Sequence, residues 1–153
     1  GKSEIGFAHV TTAKLKVAHA VLAEGYEILF TDSDIVWLQH DVVEHVHRML
    51  RVTGPDPTLD AVFMCDTAAL DKERTPPALR INSGFYLMSS NPRTMSLLDP
   101  KELDSILQHN AEDRTAREGK SVLNDQNYLR GKLGQPSSRV RFDTLPLDDY
   151  ANG

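Results

Sequence analysis

Short apolar runs alternate along this chain with segments whose apolar residues recur at helical spacing. Three runs are rich in β-formers and predict strands, Tyr26–Phe30, Ala61–Cys65 and Ile81–Met88, and Arg139–Leu145 is a fourth candidate. Helices are predicted from Thr11 or Thr12 to Glu24, from Asp41 to about Leu50, from Pro92, from Glu102 to His109 and from Ser121 to Leu133. Residues 67–80 predict a loop. Strands that alternate with helices predict an α/β layered domain with a mostly parallel or mixed sheet.

The composition indicates one globular domain, residues 1–153, rather than a nucleic-acid-binding or membrane protein. Hydrophobic residues make up 40% and charged residues 25%, and the formal net charge of −5 disfavours nucleic acid as a partner. No apolar stretch approaches the roughly 20 residues that cross a bilayer, so we expect any membrane anchor to lie outside this segment. Cys65 is the single cysteine, which excludes an internal disulfide, and its apolar surroundings predict a buried thiol.

Two carboxylates, Asp32 and Asp34, follow the first predicted strand one residue apart. In extended backbone alternate side chains point the same way, so both acids are expected to face one site. Converging carboxylates repel each other unless a cation lies between them. A divalent metal that is shared with a phosphate-bearing substrate is the usual solution. The alternative is that the acids only accept hydrogen bonds from backbone donors of a turn.

Several short motifs occur in an order that resembles a nucleotide-diphospho-sugar transferase domain, with the closest similarity to glycosyltransferase family 77. They are Lys14, Gly25-Tyr26, Thr31–Leu38, Asn82–Tyr86, Asn124–Gln126, Leu145–Leu147, Tyr150 and Asn152-Gly153. No one motif is specific, but their order covers nearly the whole chain. The resemblance implies a GT-A-like, Rossmann-like α/β/α fold and a glycosyltransferase, either a hexosyl- or a pentosyltransferase.

By this resemblance Asp34 is a direct ligand of Mn²⁺ or Mg²⁺, which bridges the diphosphate of a sugar donor. Asp32 contacts the ribose or the donor sugar and is also assigned to the metal. Such a cation neutralises the phosphates and stabilises the charge that develops on the leaving nucleoside diphosphate. The implied partners are a nucleoside-diphosphate sugar, chiefly a UDP-sugar, and a hydroxyl group of a glycan or glycoprotein.

The resemblance also assigns residues to donor binding. Lys14 would reach the donor, although a solvated helix lysine is an equally good interpretation. Asn82, Ser83 and Gly84 would bind the donor sugar, with Asn82 hydrogen-bonded to its hydroxyls and Gly84 leaving room for the ring. Alternatively these three residues only start a strand, in which glycine permits a bulge or a close approach.

Asp125 and Gln126 would face the sugar near its anomeric carbon, unless they are only polar residues on a helix surface. Asp125 would orient the donor or stabilise an oxocarbenium-like charge. Related enzymes retain the anomeric configuration without an obvious protein nucleophile, and front-face attack assisted by the leaving phosphate is the usual proposal. We therefore assign no general base, and Asp125 is the one side chain to test for a catalytic role.

Two other functions fit parts of the pattern. A haloacid-dehalogenase-type phosphatase would use Asp32 as its nucleophile, with Asp148-Asp149 as a late acidic pair. This phosphatase interpretation gives no role to the motifs at residues 82–84 and 125–126. A non-catalytic sugar-nucleotide-binding domain is the second alternative.

The family pattern extends beyond this sequence at both ends. The first nucleotide-binding strands and a late segment with a metal-binding histidine are not found here. We therefore expect either a fragment of a longer catalytic domain or a divergent short version of it, and in either case this segment alone is not expected to be a complete enzyme. For the full-length protein the resemblance implies a lumenal domain at the membrane of the Golgi or another secretory compartment.

Overall fold

The computed structural model describes residues 2–36, 40–51, 59–66, 75–112 and 124–146. Strands β1 to β4 span Ile28–Thr31, Ala61–Cys65, Ile81–Met88 and Phe142–Thr144. Helices α1 to α5 span Lys2–Ala23, Val42–Arg51, Pro92–Leu97, Pro100–Glu112 and Asp125–Leu133, and a 3₁₀ turn covers Pro77–Arg80. The predicted strands and helices are present, which confirms the α/β class.

The four strands form a mixed sheet in the order β1-β3-β2-β4. β3 is antiparallel to β1 and β2, whereas β2 and β4 are parallel. The expectation of a mixed sheet is confirmed. The mostly parallel alternative is wrong for the described strands, because β3 lies inside the sheet and runs against both neighbours. This reversal places the start of β3 beside the carboxyl end of β1.

β3 leaves its regular pairing with β2 at Ser83–Phe85. Phe63 of β2 pairs with Tyr86, but the next residue, Met64, pairs with Asn82. The three residues between those partners bulge away from β2. Bulges bend a strand and redirect its side chains, and they are frequent beside active sites. The glycine at position 84 predicts a bulge or a close approach, and the structure contains a bulge there.

Helices cover both faces of the sheet and bury a hydrophobic cluster on each. On one face, α1, α3, α4 and α5 pack around side chains such as Leu15 and Leu129. On the other face, Val46 and Leu50 of α2 pack against the sheet. All five residues of β2 are buried, and the Cys65 thiol is buried as expected. This is the α/β/α layering implied by the family resemblance.

α1 begins earlier than predicted. It starts at Lys2, so Thr11 and Thr12 lie inside the helix, 2% and 1% exposed, instead of capping it. No proline interrupts residues 2–10. A threonine hydroxyl can hydrogen-bond to a carbonyl within its own helix, so a buried helical threonine is physically acceptable.

A capping side chain and a proline determine where two of the later helices begin. α5 begins at Asp125, because the side chain of Asn124 accepts a hydrogen bond of 2.9 Å from the amide of Asn127. α4 begins at Pro100 instead of Glu102, since proline suits the first turn of a helix, where no amide donor is needed.

Some predictions fall outside the described residues. They include most of the loop at 67–80, the proposed helix start at Ser121, the pair Asp148-Asp149, and the late motif from Leu147 to Gly153. In the segments that are described, no helix combines the length and apolar character needed to cross a membrane.

Candidate functional site

The carboxyl end of β1 meets the bulge of β3 at one edge of the sheet. The amide of Asp32 donates to the carbonyl of Gly84 over 2.7 Å, and the amide of Ile35 donates to the Asp32 carbonyl over 3.2 Å. The second bond closes a turn, so the chain leaves the extended path after β1. The expected strand-like alternation of Asp32 and Asp34 is therefore wrong. Asp32 is half-buried, whereas Asp34 is exposed.

Lys14 places its ammonium group between two carboxylates from different elements. Its Nζ donates to Asp32 Oδ1 over 2.7 Å and lies 3.3 Å from Asp125 Oδ2. It also lies 5.0 Å from the centre of the Phe30 ring, within the range of a cation–π contact. The lysine side chain is 19% exposed. The interpretation of Lys14 as a solvated helix lysine is therefore wrong.

Gly84 lies where a side chain would collide with the oxygen atoms of two site residues. Its amide donates to Asn82 Oδ1 over 2.7 Å. A Cβ atom here would lie 2.9 Å from Asn82 Oδ1 and 3.1 Å from Asp32 Oδ2. Glycine therefore allows an amide oxygen and a carboxylate oxygen to converge on the backbone of the bulge.

Gln126 holds the bulge through the backbone of Ser83. The Ser83 amide donates to Gln126 Oε1 over 3.2 Å, and Gln126 Nε2 donates to Asp66 Oδ2 over 3.3 Å. Arg130 Nη2 donates to the same Asp66 oxygen over 2.5 Å and to the Ile81 carbonyl over 2.9 Å. These bonds join the start of α5 to the start of β3.

Sequence reasoning missed Asp66 and Arg130 as parts of this arrangement. A partial signal exists for each of them. Asp66 is the acid directly after β2, and Arg130 lies four residues after Gln126, which places both residues on one helix face. Their contact depends on how α5 packs against β2 and β3, which a single sequence does not reveal.

Two buried polar atoms near Lys14 have no hydrogen-bond partner among the described residues. They are Asp125 Oδ2 and the hydroxyl of Tyr86, in residues that are 4% and 1% exposed. The contact of Asp125 with Lys14 is an ion pair without hydrogen-bond geometry. Burial raises the pKa of Tyr86, and the charges of Asp125 and Asp32 raise it further, so the hydroxyl stays protonated. Such orphaned groups are unusual in native cores.

Asp125 carries its charge at a favourable position. It occupies the first turn of α5, where the partial positive charge of the helix start stabilises a carboxylate. Together with Lys14 this explains how a carboxylate can stay in a nearly buried position. Its Oδ2 atom, which is buried beside Lys14, nevertheless accepts no hydrogen bond from the described residues.

Asp32 and Asp34 are the acids at this edge that would supply ligands to a divalent cation shared with a substrate. Asp34 is exposed and has no hydrogen bond or ion pair with the other described residues. Within the described ranges, no group of three or more His, Cys, Asp or Glu residues is placed to hold a metal. Mg²⁺ sites often use only one or two carboxylates plus substrate phosphates. Asp32 and Asp34 can supply that number of hard oxygen ligands.

Comparison with known proteins gives one match. A family model described as nucleotide-diphospho-sugar transferase matches residues 2–149. The matched range includes Lys14, both acids after β1, the bulge of β3 and the start of α5. The search of curated proteins and the search of solved structures found no match.

Proposed function

Because the chain belongs to the nucleotide-diphospho-sugar transferase family, we propose that the sheet edge around Lys14 is its donor site. The family supports glycosyltransferase activity with a nucleotide-sugar donor. Our proposal is narrower. It is a metal-dependent, retaining transferase similar to family 77, which moves a sugar from a UDP-sugar to a hydroxyl group of a glycan or glycoprotein.

The observation that carries this proposal is the Lys14 bridge between Asp32 and Asp125. Three segments that are distant in the sequence contribute one charged group each, and the two carboxylates lie within 3.3 Å of the lysine Nζ. Ionised groups that lose their hydration destabilise a fold unless they are fully paired. Asp125 keeps an oxygen without a hydrogen-bond partner, which is more typical of a binding site than of a structural ion pair.

The charges of the cluster support a divalent cation. Asp32, Asp34 and Asp125 bring three negative charges to this sheet edge, and Lys14 brings one positive charge. We propose that Asp32 and Asp34 hold Mn²⁺ or Mg²⁺. When bound, this cation would neutralise the donor diphosphate and stabilise the leaving group. The Lys14 ammonium would then pair with a phosphate oxygen.

The bulge residues would receive the donor sugar. Since the Asn82 Oδ1 atom already accepts from the Gly84 amide, its NH₂ group is the part that is free to donate to a sugar oxygen. The space left by the missing side chain of Gly84 is filled by oxygens of Asn82 and Asp32, so Gly84 would act by letting these two groups converge on the donor sugar. Ser83 and Gln126 would act by fixing the position of the bulge.

Asp125 is the side chain proposed to face the anomeric carbon. Once Lys14 pairs with the phosphate, Asp125 Oδ2 would accept a hydrogen bond from a sugar hydroxyl or stabilise the positive charge that develops during transfer. We assign no general base. In front-face transfer the acceptor proton would pass to the departing phosphate.

The two alternative functions predict different behaviour. In a phosphatase, Asp32 would be a nucleophile, and the residues of the bulge and of the α5 start would have no role. A non-catalytic domain would bind the donor without transferring or hydrolysing it. Hydrolysis of a phosphate monoester that Asp32→Asn abolishes would favour the phosphatase.

The test is UDP binding measured by isothermal titration calorimetry, with and without MnCl₂. We expect manganese-dependent binding that Asp34→Asn weakens by at least about tenfold, because the variant removes a charged ligand of the cation. Asp34 is exposed, so the variant should unfold at the wild-type temperature. Glu44→Gln, a change of an exposed acid on α2, is the matched control and should bind normally. Unchanged manganese-dependent binding in Asp34→Asn would refute the metal assignment.

A further inference from the structure

A second cleft shares no lining residue with the proposed donor site around Lys14. Its volume is about 430 Å³, and it is formed by α3, the end of α5 and the segment before β4. β3 runs from Ile81, near the bulge, to Met88, near α3. Seven residue steps of about 3.3 Å separate the two ends by roughly 23 Å. The cleft is therefore distinct from the proposed donor site.

The cleft is lined by cationic and hydroxyl-bearing side chains. Its polar lining residues are Arg93, Lys132, Arg139, Ser96, Ser137, Ser138 and Gln135. No Asp or Glu is among the described residues that line it. This composition contrasts with the chain as a whole, which has a formal net charge of −5.

The neighbouring acids do not neutralise these cations completely. Arg93 forms two hydrogen bonds of 2.6 and 2.8 Å with Asp60, and Lys132 lies 2.6 Å from Glu102. Asp60 is also 3.9 Å from Nη2 of Arg141. Arg139 is exposed and forms no ion pair with the rest of the described chain.

The result is a local excess of positive charge. Three cationic side chains line the cleft, and among the described residues Asp60 pairs with Arg93 and Glu102 pairs with Lys132, which leaves the charge of Arg139 unmatched. Such an excess beside a concave surface attracts anions and concentrates them there. The guanidinium group of Arg139 can donate two parallel hydrogen bonds to two oxygens of a carboxylate, a sulfate or a phosphate.

We propose that this cleft binds an anionic group carried by a small polyhydroxylated ligand, such as an acidic saccharide. The volume lies in the range of ordinary small-molecule sites. The serine hydroxyls and the glutamine amide can pair with ligand hydroxyl groups, while Arg139 and the other cations pair with the acid. The inference does not depend on the proposed donor site.

The experiment is an NMR titration of amide signals at constant ionic strength. The probes are sodium sulfate, inorganic phosphate and glucuronate, with glucose as a neutral control. We expect saturable shifts at residues 135–140, and an affinity that falls about tenfold in Arg139→Gln. Arg51→Gln removes an exposed arginine at the end of α2 and should leave the affinity unchanged.

The outcomes separate the sources of the anion. Tighter binding of glucuronate than of the inorganic ions supports an acidic sugar, whereas equal affinities support the anion site but contradict recognition of the sugar. No saturable shift with any anion, or equal affinity in wild type and Arg139→Gln, would overturn the proposal. Asp34→Asn should not alter these titrations, so failure here is separable from failure of the donor site.

Discussion

Two buried aspartates of this protein differ in how completely they are paired. Asp60 accepts hydrogen bonds from Arg93, from the side chain of Asn91 and from the Arg141 amide. Asp125 has an ion pair with Lys14 but keeps an oxygen without a hydrogen-bond partner. A fully bonded buried carboxylate is typical of a structural role, whereas an incompletely bonded one at a sheet edge is typical of ligand binding.

The unpartnered hydroxyl of Tyr86 leads to a prediction about stability. Tyr86→Phe keeps the ring, whose centre lies 5.2 Å from that of the stacked Phe30 ring, and removes a buried hydroxyl that has no hydrogen-bond partner among the described residues. We expect the free energy of unfolding to stay equal or to rise by about 1 kcal/mol, because an unsatisfied buried polar group destabilises the fold. Urea denaturation measures this change.

Tyr128 provides the matched control. Its hydroxyl donates to the Leu97 carbonyl over 2.8 Å, and the residue is 6% exposed. Tyr128→Phe should therefore lower the free energy of unfolding by about 1 kcal/mol. A similar loss in Tyr86→Phe would show that the Tyr86 hydroxyl has a structural partner.

The helices and strands are joined differently at the two ends of the sheet. At the end near Lys14, the first residues of β3 contact α5 through the hydrogen bonds of Gln126 with Ser83 and of Arg130 with Ile81. At the other end, Asp60 joins three elements. It precedes β2, accepts from Arg93 of α3, and accepts from the backbone of Arg141 just before β4.

Removal of the Asp60 charge should therefore weaken the fold itself. We expect Asp60→Asn to lower the free energy of unfolding by about 2 kcal/mol, because charge-assisted hydrogen bonds to a buried carboxylate are lost. Asp143→Asn, at an exposed position of β4, should change it by less than about 0.5 kcal/mol. Equal effects of the two variants would contradict this role of Asp60.

The difference between wild type and Asp60→Asn should depend on pH. Burial raises the pKa of Asp60, but hydrogen bonds and charges from Arg93 and Arg141 outweigh it, so the pKa lies below the ordinary value of 3.8. A carboxylate with a lowered pKa stabilises the fold fully above its unfolded-state pKa. The stability difference should thus be constant above about pH 5 and shrink as the pH falls further.

The pattern of the sequence predicts the strands and helices better than their arrangement. Apolar runs such as Ala61–Cys65 strongly favour a β-strand, and this preference can be read from neighbouring residues alone. Nothing local in Ile81–Met88 reveals that β3 runs antiparallel to its neighbours. The amino-terminal part of α1 was missed because Thr11 and Thr12 are good capping residues, although here the helix continues through them.

The same distinction holds for the candidate site. The order of Lys14, Asp32, Asn82 and Asp125 predicts that these residues belong together, and the structure places all four at one sheet edge. The hydrogen bonds and ion pairs that each of these residues forms depend on how the helices and strands pack together. The turn after β1 and the engaged amide of Gln126 could therefore not be derived from residue types and spacing alone.

The most direct test of the donor site is to locate bound Mn²⁺ by NMR, since this paramagnetic ion broadens the signals of nearby amides. With UDP present, substoichiometric MnCl₂ should broaden the signals of residues 32–34 and 82–84 before those around Asp60. The Asp34→Asn variant should lose this selective broadening. Broadening centred elsewhere in the chain, or identical broadening in Asp34→Asn, would contradict a metal-dependent donor site at Asp32 and Asp34.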